Sequence, residues 1–510
     1  MDTQLSDSFD NSLKIGDVFT PFKWGKFAID KFKIFDEWLA GCSIFDPTMG
    51  SGNLLEALIL HGETLGYSID LLPTERLFGN ELNTEYYNQA IKKFSVKFNI
   101  DMSNNFWNED ILILPTMKFD ILLGNPPWQN FVDLPEKYKV KIKSEFFKYD
   151  LIGNSQKLLL GGSRIDIAAL IIQKTIKDFL KKSGNAYFFM PLSLLLNDGA
   201  NQQFRTYKIN STYYAPLKVY DFNDANVFEG VATRYGLVHF KRDVKSSFPI
   251  TYERYENNSW KTFCAKPLLH ETNPLSVMKI DANDILEDFE AICINKESTP
   301  RQGINTCGAN NILFFKSYEK LDDSRCLLNN NVILPSKYVY PLLTAKNFKE
   351  SNYPAQKWVL LPYDTTGKPL QENQIKSEPE LWEYLLTHQE HLASRKGSLI
   401  GSWFKKGYWW ALLGVGPYSF MPYKVVWEAY GKKEFNPIIF EGMWQANQSL
   451  QAFIPTRTIV EARDILQKLK NPAIEAYLLS LKMEGTMNWA QPGKIKKLIK
   501  YKEDGLTLFG

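Results

Sequence analysis

The sequence predicts an α/β protein whose chemistry sits at the carboxyl edge of a parallel sheet. Three observations carry this. Short apolar runs alternate with stretches of helical period through the first 240 residues. One run, ending at Asp46, enters a glycine-rich turn, Asp46-Pro47-Thr48-Met49-Gly50-Ser51-Gly52, that opens a helix at Asn53. Another, Phe119 to Leu123, runs straight into Gly124-Asn125-Pro126-Pro127-Trp128. Ligands of open α/β sheets bind where the strands end.

The elements follow in order. Thr20 suits a helix N-cap and Pro21 a first helical position, opening a helix to about Leu39. Helical spacing covers 53–65 and 84–97, with a second strand at 77–81 between them and an extended stretch at 106–112. Residues 129–162 read as a long, lysine-rich polar loop, a length more common beside functional sites than elsewhere. A helix from Arg164 to about Lys182 and a strand at 184–191 follow, with helical character at 204–207. Two strands at 217–222 and 235–240 flank a turn containing Phe228. Beyond about residue 245 the alternation is lost, so residues 1–245 and 246–510 are expected to form two domains.

Composition bounds the reading. The chain has 510 residues, 44% hydrophobic and 23% charged, which excludes a disordered or fibrous class. No apolar run nears the roughly 18 residues of a membrane span. The N-terminus, with Asp2, Asp7 and Asp10, lacks the pattern of a secretory leader. Five cysteines are scattered without a C-x-x-C pair, so a cytoplasmic protein with neither disulfide framework nor zinc site is expected. His388 and His391 have H-x-x-H spacing, but no acidic or cysteine partner accompanies them, and no metal is expected there. Residues 1–240 hold 25 basic and 28 acidic side chains, and the remainder 35 and 29. The second half is therefore the expected polyanion-contacting half.

The site residues have a chemical logic of their own. The two prolines fix φ and supply no N–H, so the carbonyls around them are rigid acceptors. Asn125 adds a side-chain acceptor and Trp128 a flat apolar face. Such a set suits the NH₂ group of a planar base. The glycine-rich turn admits a ligand close to the backbone at a helix N-terminus. Its spacing is neither G-x-G-x-x-G nor a phosphate-binding loop, and Asp46 would repel a phosphate while attracting an ammonium.

The D-P-x-x-G-S-G turn followed by N-P-P-W resembles the amino-directed DNA methyltransferases that use S-adenosylmethionine. The motif order resembles the gamma group, the TaqI-type N6-adenine enzymes of type II restriction–modification systems. That resemblance implies a Rossmann-like seven-stranded methyltransferase sheet with a C-terminal target-recognition domain of mixed α+β structure. It implies a cofactor site of Thr20, Pro21, Asp46, Pro47, Thr48, Gly50, Gly52, Asn53, Glu81, Asp110, Ile111 and Asn125. Within it Glu81 would accept the ribose hydroxyls, Asp110 the adenine amine, and Ile111 would pack on the ring. Asn125, Pro126, Pro127 and Trp128 would be the catalytic set, with Trp128 and Phe228 stacking on a base flipped out of duplex DNA.

Cytosine N4 stands as the alternative target, although those enzymes more often carry Ser at the Asn125 position. An RNA or a protein glutamine is a more distant alternative. No separate nuclease cluster is legible after residue 245, so a stand-alone, monomeric modification enzyme is expected, with any cognate restriction endonuclease encoded separately. The basic run Lys494 to Lys500 reads as a solvated amphipathic face or a phosphate contact.

Overall fold

The computed structural model describes residues 19–152, 165–197, 201–228, 233–270, 272–278, 291–348, 354–430, 434–481 and 489–502. The chain divides into two compact units, Met1–Asn283 and Asp284–Gly510.

The first unit is built on one large sheet. Its parallel half comprises β1 (Ile44–Asp46), β2 (Leu77–Asn80), β3 (Phe106–Trp107), β4 (Phe119–Gly124) and β5 (Leu180–Pro191), in the order β3-β2-β1-β4-β5. The order of strand addition reverses between β1 and β4, which run parallel and pair Ile44 with Ile121 and Phe45 with Leu122. That neighbourhood opens a crevice outside the strand ends. Ser43 pins the other end of the same pair, its N–H and hydroxyl donating to Asp120 at 3.0 and 2.7 Å.

The sheet continues antiparallel. After β6 (Lys208–Ile209) come β7 (Thr212–Asp221) and β8 (Tyr235–Arg242), and β8 lies between β5 and β7. The path to this point runs β3-β2-β1-β4-β5-β8-β7. The seven-strand expectation is exceeded. Strands β9 (Ile250–Glu256), β10 (Ser259–Pro267) and β11 (Leu275–Met278) extend that edge, giving 11 strands among the described residues. β9 pairs parallel with β7, bringing Tyr252 opposite Val219. The expected division at 245/246 thus falls between two strands of one sheet. The physical reason is an ordinary hairpin, β9–β10, whose apolar residues Tyr252 and Ala265 are fully buried.

Helices cover the sheet. α1 (Phe22–Phe32) and α2 (Ile34–Leu39) replace the single helix expected to Leu39, because Lys33 adopts a left-handed conformation, φ 55°, between them. α3 (Asn53–Thr64) and α4 (Thr84–Phe98) lie as expected. Trp24, Ala28, Ile29, Leu54, Leu55, Leu58, Ala90 and Phe94 from α1, α3 and α4 pack with Ile121, Leu123 and Phe189 of the sheet in one buried cluster. The expected loop 129–162 instead holds α5 (Glu136–Lys148), whose Tyr138, Ile142 and Phe146 recur every fourth residue and are buried. Residues 153–162 of that stretch lie outside those described. α6 (Ile167–Asp178) ends four residues short of the expected Lys182, where β5 begins.

The second unit is mixed. Tyr423–Glu428 pairs with Ile438–Glu441 and Gln451–Thr456, and Arg301–Gln302 completes a four-stranded sheet. Two three-stranded sheets and a further parallel pair accompany it. Two helices, Pro379–Thr387 and Gln389–Ala393, follow one another in this unit. The basic run at 494–500 is not a solvated amphipathic helix. Ile499–Tyr501 pairs with Ile292–Ile294, and buried Lys494 donates to the Leu481 carbonyl at 3.3 Å. Its stem packs while the ammonium takes a backbone acceptor. Lys432 and Lys433 lie outside the described residues.

Candidate active site

The ends of β1, β2 and β4 and the loop after β3 converge on one cleft. Eleven expected residues line it: Thr20, Asp46, Pro47, Thr48, Gly50, Asn53, Glu81, Asp110, Ile111, Asn125 and Pro127.

The turn after β1 is shaped by its glycines. Gly50 and Gly52 have φ of 55° and 80°, a region L side chains rarely adopt. A Cβ on Gly50 would lie 2.9 Å from the Phe19 ring, and one on Gly52 3.0 Å from Phe94. Asp46 is buried at 1% exposure and accepts from the Thr48 N–H at 3.1 Å. Burial pushes its carboxyl well above the usual range, the Thr48 bond opposes that, and the charge of Glu81 adds to it.

Glu81 follows β2. Its two oxygens accept from the Gly50 N–H and the Asn83 N–H, both at 2.8 Å. Asp110 is buried, accepts from the Leu112 N–H at 3.0 Å, and takes the Lys141 ammonium at 3.2 Å. Thr48 Oγ1 and Asn80 Oδ1, on residues lining the cleft, are buried without a hydrogen-bond partner. Such atoms are costly unless a ligand or water meets them.

Asn125 stands just beyond β4. Its amide donates to Thr20 Oγ1 at 3.2 Å, and Thr20 in turn accepts the Asn53 amide on its carbonyl at 3.3 Å. Thr20 is therefore not a helix cap. α1 begins at Phe22, with Pro21 in the cap position, and the Thr20 hydroxyl orients Asn125 instead.

Trp128, Phe228 and Tyr235 form an aromatic triad away from the cleft wall. The Trp128 and Phe228 rings meet edge to face at 5.0 Å, and Tyr235 lies 5.4 Å from Trp128. Phe228 is 3% exposed and Trp128 half-buried, its indole Nε1 without a hydrogen-bond partner. The two rings are in mutual contact and leave no parallel slot between them. Pro126 is buried, Pro21 is exposed, and neither they nor Gly52 line the cleft.

The cleft also has walls that sequence reasoning missed. Phe19 and Tyr86 meet edge to face at 5.0 Å, and Tyr138, Ile167 and Ile171 close the side formed by α5 and α6. The every-fourth-residue spacing of Tyr138, Ile142 and Phe146 would have revealed α5. Nothing in the local sequence ties it to Asp110.

Residues 52–228 match the Eco57I restriction-modification methylase family. The matched methylase segment contains Glu81, Asp110, Asn125 to Trp128 and Phe228, while Asp46 precedes it. The chain is 23% identical over 416 residues to the type II methyltransferase M.NspV of Nostoc sp. (strain ATCC 29411 / PCC 7524), covering 78% of this chain and 77% of that one. It is 26% identical over 225 residues to the modification methylase CviBIII of Paramecium bursaria Chlorella virus NC1A, covering 42% and 46%. Among solved structures, the type IIL restriction-modification enzyme MmeI in complex with DNA aligns with a TM-score of 0.54 at 14% identity. The alignment covers 93% of this chain but 64% of MmeI, and at that identity the likeness concerns the fold. No helix among the described residues is long and apolar enough to cross a membrane.

Proposed function

We propose that the protein is a restriction–modification methyltransferase that moves a methyl group from S-adenosylmethionine to the N6 amine of an adenine flipped out of duplex DNA. The observation that carries this is the convergence of Asp46, Glu81 and Asp110 on one cleft with Asn125 at its edge, the last three inside the segment that matches the methylase family.

The cleft fits the cofactor's chemistry. Buried Asp46 would face the ammonium of the methionine end, and an incoming cation would restore its charged form. Glu81, though it already holds two backbone N–H groups, keeps lone pairs for the ribose hydroxyls. Asp110 and Ile111 would receive the adenine. When bound, the cofactor supplies an electrophilic methyl on a sulfonium sulfur.

The chain's own residues do the rest. An adenine amine is a poor nucleophile because its lone pair is shared with the ring. Asn125 Oδ1 and the Pro126 carbonyl would accept its two protons and localise that lone pair, aimed in line at the methyl. Thr20 Oγ1 accepts from the Asn125 amide nitrogen and so fixes which way the amide is turned. Transfer would make the amine's N–C bond at the expense of the cofactor's S–C bond, and the amine would give up a proton to water. Positioning and electrostatics supply the acceleration. Trp128 offers its face to the flipped base, with Phe228 and Tyr235 bracing the ring from behind.

The test is tritiated-methyl transfer to DNA, RNA and protein in parallel, followed by single-molecule sequencing of DNA from expressing cells. N6-methyladenine at one sequence is the expected product. N4-methylcytosine, or label only in RNA or protein, would overturn the assignment.

A further inference from the structure

Resting on the reading of duplex DNA as substrate, we infer that a carboxamide-lined cleft in the second unit reads base edges. The cleft is formed by Gln302, Asn305, Asn310, Tyr430, Asn447 and Gln448, with Thr306, Gly308 and Ser449 between them.

Two chain segments build its floor. Residues 302–305 run beside 446–451 so closely that a Cβ on Gly303 would lie 2.3 Å from the Ala446 carbonyl oxygen. Ile304 N–H donates to the Ala446 carbonyl at 2.7 Å, Gln448 N–H to the Ile304 carbonyl at 2.9 Å, and Gly303 N–H to the Gln451 carbonyl at 3.3 Å. Backbone groups are thereby spent on one another, and the side-chain amides are what the floor presents.

The three asparagines share a pattern, whereas the Gln302 amide donates to the Tyr430 hydroxyl and, at 3.4 Å, to the Gln448 carbonyl. Asn305 Oδ1 accepts the Cys307 N–H at 2.7 Å, and Asn310 Oδ1 the Thr306 hydroxyl at 2.6 Å. Asn447 Oδ1 accepts both the Ser449 N–H, at 3.1 Å, and its hydroxyl, at 2.9 Å. In each case the oxygen is held locally and the NH₂ end remains to donate. The Gln448 side chain, half-buried, has neither end engaged within the described residues.

Base edges in the major groove offer this chemistry its partners. N7, O6 and O4 accept, and a carboxamide pairs with adenine through both its ends. No carboxylate lines the cleft to repel a phosphate backbone. The neighbouring Arg301 guanidinium lies 4.5 Å over the Tyr418 ring. Among the described residues the cleft is lined mainly by polar side chains, with Ile304 beside them.

The test uses full-length Gln448→Ala, Asn305→Asp and Asn447→Asp. The two aspartates keep the oxygen that holds the local turn and remove the donor, so they separate reading from folding. Methylation of the wild-type recognition sequence and of its single-base-pair variants is compared, alongside S-adenosylmethionine affinity. The expected result is a loss of preference at one base-pair position, roughly 5- to 150-fold, with cofactor affinity unchanged. Unchanged preference in all three variants overturns the inference. So does a uniform loss across all sequences in Gln448→Ala, which marks a non-reading contact. Absence of methyl transfer to any DNA by the wild type, with the cofactor bound, instead sinks the reading of the substrate.

Discussion

The Gly50 backbone amide donates to the Glu81 carboxylate at 2.8 Å, tying the glycine-rich turn after β1 to the end of β2. One residue therefore shapes the cleft, and in the proposed reading it would also accept the ribose hydroxyls. Glu81→Ala should weaken S-adenosylmethionine binding by about 1.5–3 kcal/mol, the worth of hydrogen bonds to a charged group. DNA affinity should change little. Calorimetry measures both, and an unaltered cofactor affinity would count against the assignment.

Asn125→Ala should lower turnover by at least about 100-fold, the cost typical of one lost polar group at a reacting centre. Cofactor affinity should stay within a few-fold. Thr20→Val removes the hydroxyl that orients the amide and should give a smaller loss in the same direction. Single-turnover rates at saturating cofactor decide between these outcomes, and near-normal turnover in Asn125→Ala would remove its role.

Asp166 caps α6, accepting the Ala168 N–H at 2.9 Å, and α6 carries Ile167 and Ile171 to the cleft. Burial pushes its carboxyl up to about 7, against the pull of its backbone hydrogen bonds. The native state then holds a proton that the unfolded chain has already released. Stability should fall as pH rises from about 4 to 7, by up to about 4 kcal/mol. Asp166→Asn keeps a capping oxygen and should flatten that slope. Denaturant titrations of both proteins across this window provide the check. Parallel slopes would show that Asp166 titrates alike in both states.

Asp221, fully buried at the end of β7, is bound by Arg234 and Arg254 and by the Tyr252 hydroxyl at 2.6 Å. Two of these partners belong to β9. A fragment ending at residue 283 should fold and bind S-adenosylmethionine, whereas one ending at 245 loses Tyr252 and Arg254. Stripping a buried charge of partners costs about 3–5 kcal/mol. Circular dichroism and thermal melts compare the two fragments. The folded longer fragment should also show a shallower salt slope in DNA binding than the full chain, since each phosphate contact contributes roughly 0.9. An equal slope would place the phosphate contacts in the first unit.

Much of the site was legible in the residue order because its parts are local. A strand must end where Asp46 meets a glycine-rich turn, and where Leu123 meets Gly124-Asn125-Pro126-Pro127. Local sterics set both turns, and the parallel pairing of β1 with β4, where strand order reverses, brings them together. By itself, then, the sequence determined the alternating α/β half, the glycine-rich turn, the acidic strand ends and the Asn125-Pro126-Pro127-Trp128 turn. What only the tertiary structure decided depends on residues far apart in the chain. The Lys141 contact with Asp110, the Thr20 bond to Asn125, the edge-to-face packing of Trp128 on Phe228 and the three strands beyond residue 245 are of this kind. Each is chosen by packing and hydrogen-bond satisfaction among distant segments, and no pattern of neighbours along the chain encodes it.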